Sequence, residues 1–155
     1  MAKNDFSDFL EKSLDLAVRK LHEGRIVAFP TETYYGLAVD PDCASAVQKL
    51  FKAKRRKADK PLLLLIENIK QLDSIVQEVP SQYGHLIEKY WPGPLTLLLK
   101  KKDVIPDIVT SGLPTVGVRI PQQLQTLQNL KVLNLLPAFL RPGIQQDQQS
   151  VMFGR

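Results

Sequence analysis

Residues 52–66 read KAKRRKADKPLLLLI. Six of the nine positions from Lys52 to Lys60 are basic, and Asp59 is the one acid among them. Pro61 then separates this cationic loop from an unbroken apolar run over 62–66, which lacks the polar alternation of a half-solvated strand and reads as a strand covered on both faces. Immediately before the loop, Ala46, Val47, Leu50 and Phe51 fall at helical spacing, with Asp42 as the expected cap. A helix, a basic loop and a buried strand in succession point to a layered α/β domain.

The rest of the chain extends this pattern. Leu10, Leu14, Ala17, Val18 and Leu21 repeat with helical period, and Gly24 is a C-terminal stop. A short buried strand over 26–29 ends at Pro30, and 30–37, PTETYYGL, reads as a polar loop. Leu72, Ile75 and Val76 predict a third helix; Ser81 is the expected cap of a fourth carrying Leu86, Ile87 and Tyr90. Pro92-Gly93-Pro94 is a rigid turn feeding an apolar strand over 95–99, and 115–120 is another short strand. Strands alternating with helices place the connecting loops together on one side of a sheet.

After Pro121 the text changes. Residues 122–155 hold eight glutamines and only four charged residues, Lys131, Arg141, Asp147 and Arg155. Leu124, Leu127, Val132 and Leu136 fit one amphipathic helix. Beyond Pro137 no period is visible, and an irregular or disordered segment is expected. The break at Gln122 suggests a frameshifted, alternatively ended or truncated product.

The whole chain has 155 residues, 44% apolar, enough for one core. A net charge of +5 and a pI near 9.4 favour acidic partners such as nucleotides or RNA. Cys43 is the sole cysteine, so no intrachain disulfide forms and a reducing compartment is the simpler expectation. Charges throughout 1–23 leave no apolar core for a signal peptide, and no apolar run nears the ~20 residues that span a bilayer. The expected location is cytoplasmic. One cysteine and two distant histidines, His22 and His85, argue against a protein-built metal site. His22 sits where it would complement a helix dipole, and Cys43 reads as a small, partly buried side chain.

Several residues carry candidate chemistry. In an extended or turning backbone, Lys54 and Arg56 share a face and can converge on one anion, the arginine by its planar fork and the lysine as a compact charge. The same run also fits a solvated face or a loose nucleic-acid patch. Thr31, Glu32 and Thr33 stand at a strand exit, where such side chains also cap local backbone groups. Gly36 suits a tight turn or a close ligand approach. Tyr34 and Tyr35 suit stacking or burial. Arg119 interrupts an apolar strand, so it either bridges an acid or faces a ligand carboxylate. Trp91-Pro92-Gly93-Pro94 reads as a structural corner.

Four motifs occur in order: PTETYYGL at 30–37, AKRRKADKPL at 53–62, WPGPLTLLLKK at 91–101 and TVGVRIP at 115–121. Together they resemble the YrdC family, threonylcarbamoyl-AMP synthases that start a tRNA modification beside the anticodon. The resemblance runs from about Gly24 to Pro121. It implies a layered α/β fold with a twisted mixed sheet and flanking helices, incomplete at its C-terminus, with a nucleotide- and threonine-binding domain over 1–121 and an atypical Gln-rich tail over 122–155. It implies adenylation of a threonine carbamate made from L-threonine and bicarbonate, with ATP as co-substrate and Mg2+ sharing the phosphate charge. Lys54 and Arg56 take the catalytic positions, Lys54, Arg56, Lys60 and Thr115 the ATP positions, and Thr33 and Arg119 the threonine positions. Implied partners are tRNA or double-stranded RNA and a downstream tRNA-modifying transferase. Arg55 and Lys57 are left to solvent or RNA. Two departures stand out. The family's histidine shortly after Pro-Leu is replaced by leucine at 63–65. Its Ser-Ala-Asn loop, which closes over the phosphates, has no match in 122–155. The alternative is a nucleotide- or RNA-binding module without turnover.

Overall fold

The computed structural model describes residues 2–30, 35–57, 59–122 and 138–140. Helix α1, Ala2–His22, ends where the periodicity stops. The Gly24 amide donates to the Leu21 carbonyl and the Arg25 amide to the Lys20 carbonyl, both at 2.9 Å. These paired bonds close a helix on a left-handed residue, and Gly24 has φ 68°, a conformation that costs glycine little.

Strands β1, Val27–Pro30, and β2, Tyr35–Val39, form an antiparallel hairpin with Pro30 opposite Tyr35. The second strand is a departure from the sequence reading, which took 30–37 as a loop. Gly36, expected at a tight turn, instead lies in β2 opposite Phe29. Helix α2, Ala44–Ala53, buries Ala46, Val47 and Leu50 completely. Its start also differs from expectation: Cys43 holds the cap position without a side-chain bond to the helix amides, and the Asp42 amide donates to the Asp40 carboxylate at 2.9 Å. Asp40 orders the turn that Asp42 was expected to cap.

Strand β3, Leu63–Leu65, follows the basic loop. A 3-10 turn over Ile69–Gln71 leads into α3, Leu72–Ile75. Ser81 opens a second 3-10 turn, Ser81–Tyr83, instead of capping α4, Gly84–Tyr90. Then come β4, Leu97–Lys100, the one-turn helix α5, Asp107–Thr110, and β5, Thr115–Arg119. Strand β6 is Ala138–Leu140.

Among the described residues, six strands form one mixed sheet in the order β1-β2-β6-β3-β5-β4. Only β3 and β5 run parallel, with Leu63, Leu64 and Leu65 level with Gly117, Val118 and Arg119. The mixed α/β sheet agrees with the fold expected from sequence. β6 does not agree with the irregular segment expected beyond Pro137: it inserts antiparallel between β2 and β3, with Phe139 level with both Ala38 and Leu63. The helix expected over Leu124, Leu127, Val132 and Leu136 lies outside the described residues.

The two faces of the sheet differ. Leu64, Leu97, Leu99, Val116 and Val118 point to one side and are buried with Leu50, Leu72, Ile75, Ile87 and Val109 in a single core. Full burial of each such side chain stabilises the fold by about 1.5–3 kcal/mol. On the other face Leu63 and Gly117 are half-buried, and Leu98 is 44% exposed. That less covered face also carries Thr115 and Arg119.

Candidate functional site

The end of α2 shapes the cationic loop. The Arg55 amide donates to the Lys52 carbonyl at 3.1 Å and the Arg56 amide to the Phe51 carbonyl at 2.9 Å. Arg55 has φ 49°, so this helix closes like α1, but on an arginine. The reversal leaves Lys54 and Arg56 half-buried and Arg55 and Lys57 exposed. Thus the inward and outward alternation expected from sequence is present. Its cause is a helix-ending turn about Arg55, the turning form of the two backbones expected.

Arg56 braces the loop. Its Nε donates to the Lys60 carbonyl at 3.2 Å and its Nη2 to the Pro61 carbonyl at 2.9 Å. Burial pushes its pKa below the ordinary arginine value, with the Asp59 charge opposing, and the guanidinium stays cationic. The ammonium groups of Lys54 and Lys60 have no hydrogen-bond or ion-pair partner among the described residues. They are compact charges on a loop whose shape Arg56 fixes.

Strand β5 carries the second set of candidate residues. Thr115, Gly117 and Arg119 share one face because side chains alternate along a strand. The parallel pairing starts at Leu63 and Gly117, and Pro61, two residues before Leu63, lies off the N-terminal end of the pair, on the Thr115 side. Arg56, bonded to Pro61, therefore sits at the Thr115 end. Arg119 lies about 13 Å along the strand, at four rises of ~3.3 Å each. Exposure falls along this face, from half-buried Thr115 and Gly117 to Arg119, which is 3% exposed. The arrangement places the loop cations toward the more exposed end of this strand face and a buried guanidinium at its other end. A polyphosphate suits the first and a small carboxylate the second.

The buried guanidinium is anchored from the side. Arg119 Nε donates to the Gly93 carbonyl at 2.7 Å, and the Gly93 amide donates to the Ile120 carbonyl at 2.8 Å. Trp91, itself buried, donates from Nε1 to the Leu95 carbonyl at 2.8 Å, and the Trp91–Pro92 peptide is cis. The corner expected from Trp91-Pro92-Gly93-Pro94 is thus tied to the strand that carries Arg119. Sequence reading did not foresee the carbonyl contact at Gly93 or the brace from Arg56 to 60–61, because main-chain acceptors leave no mark in residue type.

Thr33, with Thr31, Glu32 and Tyr34, lies outside the described residues. Cys43 is half-buried; its thiol pKa is lowered chiefly by the Ser45 hydroxyl, with the Ala46 backbone amide assisting. His22 and His85 are exposed. Among the described residues no group of three or more His, Cys, Asp or Glu converges on a possible metal position, and no helix is long and apolar enough to cross a membrane.

Comparison with known proteins bears on the same stretch. The model of the Sua5/YciO/YrdC family, described as telomere recombination, matches residues 19–136. The threonylcarbamoyl-AMP synthase of Pyrococcus abyssi is 44% identical over 111 residues, covering 72% of this chain and 33% of that protein. The protein of the same name from Bacillus subtilis is 42% identical over 106 residues, covering 68% of this chain and 31% of its own length. The chain thus spans about a third of the length of these two curated relatives. The crystal structure of P. abyssi Sua5 complexed with L-threonine superposes with a TM-score of 0.77 at 39% identity, over 84% of this chain and 38% of that one. By the extent of the family match and by these identities, the chain belongs to the Sua5/YciO/YrdC family.

Proposed function

We propose that this chain acts as an L-threonylcarbamoyladenylate synthase. What supports the reading is the order along the β5 face, with Lys54, Arg56, Lys60 and Thr115 toward its more exposed end and buried Arg119 at the other. A triphosphate lies against the loop cations and Thr115, and the threonine carboxylate against Arg119, with Thr33 also on the threonine side. The threonine amine condenses with bicarbonate, losing water to give the carbamate. A carbamate oxygen then attacks the α-phosphorus of ATP; the bond to the β-phosphate oxygen breaks and pyrophosphate leaves. No protein nucleophile is needed, because aligning the two substrates and offsetting phosphate charge lower the barrier. Lys54 and Arg56 are the catalytic cations in this scheme. A magnesium ion finds no cluster of protein carboxylates among the described residues, so the protein's share of phosphate neutralisation falls to its lysines and arginine. The adenylate would pass to a tRNA-modifying transferase, with exposed Arg55 and Lys57 available to tRNA or double-stranded RNA, in the cytoplasm.

The test is pyrophosphate release from purified protein, with each substrate omitted in turn. Release that requires ATP, threonine and bicarbonate together supports the synthase. ATP binding without release would favour the second reading, a nucleotide- or RNA-binding module, which the lack of a Ser-Ala-Asn segment in 122–155 favours.

A further inference from the structure

Gly93 and Arg119 are 26 residues apart in sequence, yet one short bond joins them and a second ties Gly93 to Ile120. The Gly93 carbonyl accepts from Arg119 Nε at 2.7 Å, and its amide holds the next residue of that strand segment through the Ile120 carbonyl at 2.8 Å. We propose that the Gly93 carbonyl is the positioning group that sets the guanidinium plane of Arg119 toward the substrate carboxylate, so that the Trp91–Pro94 corner governs selection of an amino-acid carboxylate. This deepens the synthase reading and rests on its assignment of Arg119.

The physical reason lies in the geometry of arginine. The Nε–H bond lies in the guanidinium plane, so fixing its direction limits rotation of the whole fork. Carboxylate recognition by a fork depends on that plane, unlike recognition by a point charge. Arg119 is 3% exposed, so a misdirected guanidinium cannot turn to water for compensation. The acceptor is correspondingly immobile. A Cβ at position 93 would collide with the Tyr90 carbonyl oxygen at the end of α4. That atom is backbone and cannot swing aside, so only glycine permits the close approach. The Trp91 Nε1 bond to the Leu95 carbonyl spans the corner and holds Gly93 between its two ends.

The experiment measures binding of L-threonine, of L-threoninol (its carboxylate replaced by hydroxymethyl) and of ATP to the full chain by calorimetry. The unaltered protein should prefer threonine to threoninol. Gly93→Ala should reduce that preference about tenfold, the size of one charge-assisted bond, with ATP affinity within about twofold of the starting value. Arg119→Lys should cause a similar loss, and Gly93→Ala added to it should do nothing more, because both act through the same fork. Should Gly93→Ala fold poorly, Trp91→Phe removes one bond of the corner while keeping an aromatic ring there, and it should shift the preference in the same direction. The positioning role is overturned if Arg119→Lys loses the preference while Gly93→Ala and Trp91→Phe retain it; the synthase reading then stands. It is also overturned if Gly93→Ala weakens threonine and ATP equally, since a merely architectural corner would do that. Equal binding of threonine and threoninol by the unaltered protein removes the assignment of Arg119 and this inference with it.

Discussion

Arg55 occupies a backbone conformation that its Cβ disfavours. At φ 49° it closes α2 where α1 uses Gly24. The left-handed region costs a non-glycine residue roughly 1–2 kcal/mol, whereas glycine adds about 0.4–1 kcal/mol of chain entropy lost on folding. Arg55→Gly should therefore stabilise the protein, by about 0.5–1 kcal/mol, as read by urea unfolding. Its exposed side chain predicts little change in ATP affinity; a loss of stability would mean that the guanidinium makes a contact worth more than the strain. Lys54 and Arg56 should separate in a different way. On the synthase reading, either change to Ala removes a charge-assisted phosphate contact worth about 1.5–3 kcal/mol in ATP affinity. Only Arg56→Ala also leaves the Lys60 and Pro61 carbonyls without their donors, so only it should lower the melting temperature. Equal melting temperatures for the two variants would count against the brace. Thermal scans beside ATP titrations distinguish these outcomes.

At the scale of elements, what the sequence discloses depends on whether a residue's type or its partner fixes the structure. The run over 62–66 was legible as a strand because five apolar residues after a proline have few other uses. Arg119 stood out because a charge in an apolar strand demands a partner, but its residue type left an acid and a ligand carboxylate equally open, and the threonine role came from the resemblance alone. β2 was hidden behind the polar PTET, and Tyr-Gly at its start imitates a turn; its strand character comes from pairing with β1. α5 is a single turn, too short to show a period. β6 is three residues long, and its place between β2 and β3 follows from the two edges that meet it. That placement makes a sharp prediction. Proline at Phe139 removes a main-chain donor from a strand with neighbours on both sides, and proline is tolerated poorly anywhere but at sheet edges. Phe139→Pro should destabilise the protein by roughly 3 kcal/mol or more, whereas a tail detached from the sheet would leave unfolding unchanged. Denaturant unfolding monitored by Trp91 fluorescence reads the difference.

For the whole molecule, building the sheet and closing the site are separable tasks. The sheet needs a strand between β2 and β3, and the resemblance implies a Ser-Ala-Asn loop over the phosphates. In this chain Ala138–Leu140 fills a central sheet position, which relieves the unpaired edges and self-association expected for a sheet lacking a central strand. No Ser-Ala-Asn segment occurs in 122–155. Binding and turnover should therefore diverge. On the synthase reading the loop cations and β5 remain available for ATP, so affinity should fall by no more than about tenfold relative to a version carrying a family-like Ser-Ala-Asn segment, the equivalent of one lost contact. Chemistry suffers more, because donors aimed at charge that develops in the transition state act on the rate and not on ground-state binding. Loss of one such donor costs about 10²–10³ in kcat, and pyrophosphate release by this chain should trail the extended version by at least that factor. Parallel measurement of ATP affinity and pyrophosphate release on the two proteins decides the matter. Comparable turnover would show that residues 122–155 provide phosphate donors of their own, and equal losses in affinity and rate would place the defect in the site's assembly instead of its closure.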